Sequence, residues 1–125
     1  MTNFLLVALG GAIGAAARYA VTTASFRAFG PGFPYGTLIV NVLGCFAMGL
    51  LIEWLARKMP GSHDIRLFLT TGVLGGFTTF SAFSLDFASL WERGDTLTAF
   101  GYTLASVALS VMAIFLGLAA MRSLA

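Results

Sequence analysis

Charged residues are scarce in this sequence. Only 10% of its 125 residues are Asp, Glu, Lys or Arg, whereas 58% are apolar and the mean hydropathy is +0.92. These values lie outside the range of soluble domains, so the composition predicts a membrane protein with a single domain. The net charge of +2 is too small and too scattered to indicate binding to nucleic acid.

Cysteine and histidine are nearly absent. The single cysteine, Cys45, excludes an intrachain disulfide, and we interpret it as a small apolar helix residue rather than a nucleophile. The single histidine, His63, lies in the loop 61–64, so a serine inside the membrane has no base beside it. The G-x-x-x-x-G-K-[ST] phosphate-binding motif is also missing. We therefore predict that the chain is not an enzyme.

The first apolar run has no Lys or Arg before it and is too long for a cleaved signal peptide. Four apolar spans are predicted, at about 3–25, 34–56, 66–91 and 96–121, and each is long enough to cross the hydrocarbon layer of a membrane. The predicted fold class is therefore all-α: one polytopic domain with four transmembrane helices and both termini on the same side.

Basic residues are divided almost evenly between the two ends of these spans. The side of the termini carries Arg57, Lys58, Arg66 and Arg122, and the other side carries Arg27 and Arg93, with Arg18 near it. So weak a bias does not fix the orientation of the chain under the positive-inside rule. It permits insertion in both orientations, which would give an antiparallel, dual-topology homodimer, because no internal repeat supplies the two-fold symmetry. Pairing with a related chain of opposite orientation remains an open alternative, which the weak charge bias disfavours only slightly.

Small residues recur inside the spans and permit close approach of helices. They include one G-x-x-x-G pair and several isolated positions: Gly10, Gly11, Gly14, Ala15, Gly44, Ala47 and Gly117. Two interpretations remain open. In the first, which we favour, these residues allow the helices of one chain to pack closely. In the second, they form contacts between two subunits.

Polar side chains also lie inside the spans. Asn41 and Thr37 share a face of the second span, and Tyr102, Ser106 and Ser110 form a hydroxyl stripe on the fourth. Each hydroxyl alone is explained by a hydrogen bond within its own helix or to a neighbouring helix. The set as a whole indicates a ladder of hydrogen-bond donors.

No carboxylate lies deep in a predicted helix, and this separates classes of transporter. A proton-coupled exchanger needs a carboxylic acid embedded in the membrane, and a cation pore needs rings of carboxylates or convergent carbonyl oxygens. Glu53 does not meet the first requirement, because it lies near the end of its helix. Hydroxyls, an amide and Arg18 are donors suited to replacing the water around a small anion. Arg18 has two interpretations: it focuses anions into a vestibule, or it extends to the lipid headgroups.

The segment GGFTTFSAFS, residues 75–84, interrupts the helical pattern of the third span. Two adjacent glycines and the threonines after them weaken a helix, so we predict a break in mid-span that exposes backbone carbonyls and amides. Phe80 and Phe83 share a face after this break, and the positive edges of their rings suit a narrow anion path. Packing alone also explains this spacing, but the interleaved hydroxyls favour the path: Thr78, Thr79, Ser81 and Ser84.

At these residues the sequence resembles the small dual-topology fluoride channels of the Fluc or CrcB family. The resemblance covers essentially the whole chain and rests on GGAIGAAARY with Arg18, GTLIVN ending at Asn41, GGFTTFSAFS, and the stripe Tyr102, Ser106 and Ser110. It implies a passive, selective channel that exports fluoride from the cytoplasm through the plasma (inner) membrane. It also implies an antiparallel homodimer with two pores and a central structural sodium ion.

The resemblance further implies roles for individual residues. The backbone carbonyls of Gly75 and Thr78 from both subunits would hold the sodium ion. Phe80 and Phe83 would enclose fluoride, with Asn41 donating nearby. The polar track would comprise Thr37, Ser81, Tyr102, Ser106 and Ser110, and Arg18 would line a vestibule. Two residues depart from the family pattern: Ala82 replaces an expected Thr and removes a donor, and Asp86 replaces an expected Glu and shortens a carboxylate.

Two other classes of function remain open. A small dual-topology multidrug or cation exporter also has four helices, but it needs an acidic residue in its first span, and MTNFLLVALGGAIGAAARYA has none. A membrane assembly subunit without transport activity would use the hydroxyl stripe and the helix break for packing alone.

Overall fold

The computed structural model describes residues 1–124, and all of the regular secondary structure in that range is helical. The elements are, in order, α1 (Thr2–Phe29), α2 (Tyr35–Lys58), α3 (His63–Arg66), a π-helix (Leu67–Leu74), α4 (Gly75–Phe77), α5 (Ser81–Glu92) and α6 (Thr96–Leu124). Four helical stretches are long and apolar enough to cross a membrane: Thr2–Phe29, Tyr35–Lys58, His63–Glu92 and Thr96–Leu124. The prediction of an all-α chain with four such helices is confirmed.

Three turns connect these spans, and each contains a glycine in the left-handed region of backbone space. The φ angles of Gly30, Gly61 and Gly94 are 79°, 83° and 87°, values that side-chain-bearing residues rarely adopt. The Gly30 N–H donates to the Phe26 carbonyl at 2.8 Å and ends α1 there, so the helix continues past Arg27.

The helices pack as two pairs at glycine contacts. α1 lies against the π-helix, where a Cβ on Gly10 would lie 2.6 Å from the Phe68 carbonyl oxygen. α2 lies against α6, where a Cβ on Gly49 would lie 3.1 Å from the Gly117 Cα. These glycines allow backbones of the same chain to touch. Their positions favour the interpretation that the small residues serve packing within the chain.

The third span is the least regular part of the described chain. It begins with α3 and the π-helix, continues through α4, and has three residues, 78–80, outside any helix before α5. Thr78 is extended, with φ −83° and ψ 158°. This change in backbone direction places α5 beside α6, where Leu90, Ala99 and Tyr102 form a buried apolar cluster.

Candidate functional site

The non-helical residues 78–80 are held by one side chain from another span. Asn41 of α2 donates from Nδ2 to the Thr79 carbonyl at 2.9 Å, and its Oδ1 accepts from the Thr79 N–H at 2.8 Å. The amide thus satisfies both backbone groups of one residue inside the membrane-spanning region, where lipid offers no hydrogen-bond partner. Because Thr79 donates its N–H to Oδ1, the orientation of the Asn41 amide follows from the hydrogen bonds.

The same hydrogen bonds release backbone carbonyls of the third span. In a continuous α-helix the Thr79 N–H would donate to the Gly75 carbonyl, and the Ala82 N–H to the Thr78 carbonyl. Here Thr79 donates to Asn41, and the Ala82 N–H donates to the Thr79 Oγ1 at 3.2 Å. The carbonyls of Gly75 and Thr78 therefore lose their usual helical donors.

A cavity of about 310 Å³, which we call the Asn41 cavity, lies beside this segment. Its walls come from α2, from α6 and from the region around the non-helical residues. The lining residues are Asn41, Cys45, Thr78, Thr79, Phe80, Phe83, Ser106, Val107, Ser110 and Val111. The structure thus brings together six of the residues to which the resemblance assigns a role: Asn41, Thr78, Phe80, Phe83, Ser106 and Ser110.

Two aromatic rings, Phe80 and Phe83, line this cavity, and the buried ring of Tyr102 follows them in the interior of the chain. The ring centroids of Phe80 and Phe83 are 5.5 Å apart, and those of Phe83 and Tyr102 are 5.2 Å apart. Phe83 is half-buried, whereas Phe80 is 77% exposed on the surface of the chain. Phe83 thus contacts the interior of this chain, and most of the Phe80 ring is free for contacts outside it.

The hydroxyl stripe of α6 extends from the interior of the chain into the Asn41 cavity. Tyr102 is fully buried, and its OH donates to Asp86 Oδ2 at 3.0 Å. Ser106 is also buried, and within residues 1–124 its Oγ is the one enclosed side-chain oxygen or nitrogen without a hydrogen-bond partner. Such an atom is costly in an apolar interior, which makes Ser106 a ready donor or acceptor for a guest in the cavity.

Thr37 and Ser81 lie outside the Asn41 cavity. Thr37 lines a second cavity of about 210 Å³, the Asp86 cavity, which also involves Ser25 and Arg93. Ser81 is exposed at the start of α5, with its Oγ 3.3 Å from Thr79 Oγ1. The structure therefore distributes the residues assigned to one polar track: Ser106 and Ser110 line the Asn41 cavity, Thr37 lines the Asp86 cavity, and Ser81 and Tyr102 line neither.

Arg18 connects α1 to the third span. Its Nε donates to the Gly76 carbonyl at 3.1 Å, and the side chain is half-buried. In a continuous helix this carbonyl would accept from the Phe80 N–H. Arg18 therefore satisfies a backbone group next to the non-helical residues, a contact that neither of its sequence-based interpretations anticipates.

Sequence reasoning gave little weight to Thr79, Asp86 and Cys45. Thr79 makes four contacts, two to Asn41, one to the Ala82 N–H and one to the Ser81 hydroxyl, and its place among the hydroxyl residues of segment 75–84 was the available signal. Asp86 accepts from Tyr102, 16 residues away in sequence. The carboxylate is thus paired with a buried hydroxyl, although it is one atom shorter than the glutamate that the resemblance leads one to expect.

Comparison with known proteins identifies the group to which these features belong. Residues 5–118 match the family described as "CrcB-like protein, Camphor Resistance (CrcB)". The chain belongs to this CrcB-like family. It is 58% identical over 124 residues to a protein of Mesorhizobium japonicum, and 60% identical over 124 residues to one of Chelativorans sp.. Each alignment covers 99% of both chains, and both relatives are named "Fluoride-specific ion channel FluC".

A third CrcB-like relative, from Agrobacterium fabrum, carries the same name and is 58% identical over 125 residues, with 99% of each chain covered. The resemblance to the Fluc or CrcB family stated from the sequence is therefore confirmed. Because these relatives are named as channels, the prediction that the chain is not an enzyme is confirmed as well.

Proposed function

We propose that the chain is a passive, selective fluoride channel that works as an antiparallel homodimer with two pores. It lies in the plasma (inner) membrane and lets fluoride leave the cytoplasm down its gradient. The observation that carries this proposal is the convergence of Asn41, Phe80, Phe83, Ser106 and Ser110 on one cavity. The name shared by the CrcB-like relatives supports fluoride as the ion.

The chemistry of the Asn41 cavity suits a small, strongly hydrated anion. A path for such an ion must replace its water with donors while staying too narrow for larger halides. An asparagine amide has two N–H donors, and Asn41 uses one for the Thr79 carbonyl, so the second remains for a guest. Ser106 adds a hydroxyl without a partner, and the edges of Phe80 and Phe83 add weak positive potential.

The exposed face of the third span supports a second copy as the partner. Phe80 and Gly75 both lie on the surface of the single chain, at the same segment that lines the cavity. A second, oppositely oriented copy would bring its own segment 75–84 against this one and complete the walls of the cavity. The weak charge bias between the two ends is consistent with insertion in both orientations.

The residues at this face also fit the structural sodium ion that the resemblance implies. The carbonyls of Gly75 and Thr78 are those whose helical donors are diverted to Asn41 and Thr79. Carbonyl oxygens of this kind bind a hard monovalent cation, and two copies would contribute a pair each. The ion would supply no chemistry to transport, and its role would be to join the subunits.

The test of the function is fluoride efflux from liposomes. Purified protein is reconstituted into vesicles loaded with fluoride, release is followed with a fluoride electrode, and chloride-loaded vesicles serve as the control. We expect rapid fluoride release with negligible chloride release. No release of either ion from vesicles containing folded dimer would favour an assembly subunit, and drug-coupled proton uptake would favour an exporter.

The sodium site predicts that the dimer depends on the cation. Protein purified without sodium should dissociate more readily on size exclusion than protein kept in sodium, because the Gly75 and Thr78 carbonyls would then repel one another across the interface. Potassium at the same ionic strength controls for general salt effects. An oligomer that is unchanged after thorough sodium removal contradicts the site.

A further inference from the structure

Cys45 shares the Asn41 cavity although its chemistry plays no part in the proposed conduction. It lies one helical turn after Asn41 on the same face of α2, is half-buried, and lines the cavity with Ser106 and Ser110. It is also the only cysteine in the chain. A reagent that reacts with thiols therefore has one target, and that target is inside the cavity.

A second observation indicates that this cavity accepts guests. Ser106, 6% exposed, lines the same cavity, and its Oγ lacks a hydrogen-bond partner within residues 1–124. Buried hydroxyls in proteins are nearly always paired, with protein groups or with small molecules such as water. Ser106 therefore points to a small polar occupant of the space beside Cys45.

We propose that Cys45 is a covalent modification site, at which a small thiol-directed electrophile attaches and obstructs the conduction path. With methyl methanethiosulfonate, the Cys45 thiol loses its proton and the sulfur attacks the sulfenyl sulfur of the reagent. The S–S bond of the reagent breaks as the mixed disulfide forms, methanesulfinate leaves, and the reagent itself serves as the two-electron oxidant of the thiol. A dithiol reductant reverses the modification by exchange.

The size of the attached group determines the strength of the block. The cavity of about 310 Å³ has room for a methylthio group beside a small ion, whereas a benzylthio group fills much more of it. The benzyl derivative should therefore obstruct the path more strongly than the methyl derivative. This ordering follows from cavity volume and is independent of any change in charge.

The experiment treats folded protein in detergent with methyl or benzyl methanethiosulfonate and measures adducts by intact mass. Treated and mock-treated samples are then reconstituted, and their fluoride efflux rates are compared as a ratio for each variant. Cys45→Ser is the control for labelling. Leu43→Cys in the Cys45→Ser background is the matched control for flux, because Leu43 is on the same helix, 52% exposed and outside the cavity lining.

We expect one adduct on each wild-type chain, an efflux ratio lowered about tenfold by the benzyl group and less by the methyl group, and recovery after reduction. At equal labelling, the Leu43→Cys control should keep a ratio near unity. Two results overturn the proposal: labelling of wild-type protein only after denaturation, or an adduct that lowers efflux no more than in the Leu43→Cys control. The flux readout rests on the proposed function, whereas the mass measurement does not, so absence of efflux from untreated protein counts against the channel alone.

Discussion

The α2–α6 pair and the third span meet the same requirement, that backbone polar groups inside a membrane be hydrogen-bonded, in different ways. α2 and α6 are uninterrupted helices of 24 and 29 residues, and their backbones satisfy themselves. The third span contains a π-helix and three non-helical residues, so its backbone groups need side-chain partners. Asn41 of α2 and Arg18 of α1 bond to its carbonyls, and its own Thr79 hydroxyl accepts from the Ala82 N–H. Backbone carbonyls and N–H groups that are hydrogen-bonded within a regular helix are therefore available for other partners in the irregular region.

This difference assigns two kinds of role to the residues. Glycines at the backbone contacts hold the helices together, as Gly49 and Gly117 do between α2 and α6. Polar and aromatic side chains around residues 78–80, including Asn41 of α2, hold the irregular segment and line the cavity. Substitutions of the contact glycines should affect folding, and substitutions of the polar and aromatic residues should affect transport.

Gly49→Ala is expected to have the largest effect. A Cβ there would lie 2.9 Å from the Leu118 backbone nitrogen and 3.1 Å from the Gly117 Cα, and neither backbone atom can move without shifting α6. We expect a loss of about 3 kcal/mol in the free energy of unfolding, the upper end of the usual range for overpacking. Thermal denaturation in detergent, followed by size exclusion, measures it.

Gly101→Ala is the matched control for this prediction, because within residues 1–124 no other part of the structure comes within 4 Å of a Cβ added to this α6 glycine. It should leave the unfolding temperature unchanged or slightly raised, since alanine has the higher helix propensity. Equal losses in both variants would show that the glycine contact does not hold α2 to α6.

Asn41→Asp should have the second-largest effect, and this effect should be on transport more than on folding. The carboxylate can still accept from the Thr79 N–H, but it cannot donate to the Thr79 carbonyl, and it adds a like charge to the anion path. We expect fluoride efflux from liposomes to be blocked at neutral pH. A variant that elutes as folded dimer and conducts at the wild-type rate would remove Asn41 from the path.

Phe80→Ile and Phe83→Ile should have the smallest effect on folding and a partial effect on transport. Isoleucine keeps apolar bulk at the cavity edge but lacks the positive ring edge. We expect the dimer to persist on size exclusion and fluoride efflux to fall in both variants. If neither change alters the flux, the aromatic rings have no part in conduction.

The sequence was sufficient to predict the helical spans, because the length of an apolar run and the turn residues that end it are local properties of the sequence. Apolar runs bounded by Gly30, Gly61 and Gly94 specify where helices end. The π-helix at Leu67–Leu74 was not predicted, because its register depends on packing against α1, where Gly72 lies on Gly10. Local pattern carries no information about such contacts.

The candidate site was predictable in composition but not in arrangement. The intramembrane positions of Asn41 and Ser106 were enough to single them out. The pairing of Asn41 with Thr79, 38 residues away, and the division of Thr37 from Ser106 into separate cavities require the folded chain. The roles of these residues in conduction remain predictions that the efflux experiments address.

The paired hydrogen bonds between Asn41 and Thr79 have a mechanical consequence. An interrupted helix usually acts as a hinge, because its two halves are joined by a backbone with few restraints. Here the Asn41 amide makes two hydrogen bonds with the backbone of Thr79, as one strand does with its neighbour in a sheet, and so fixes the non-helical residues to α2. The two halves of the third span should therefore move as one rigid body. Passage of an ion would then need no hinge motion at residues 78–80.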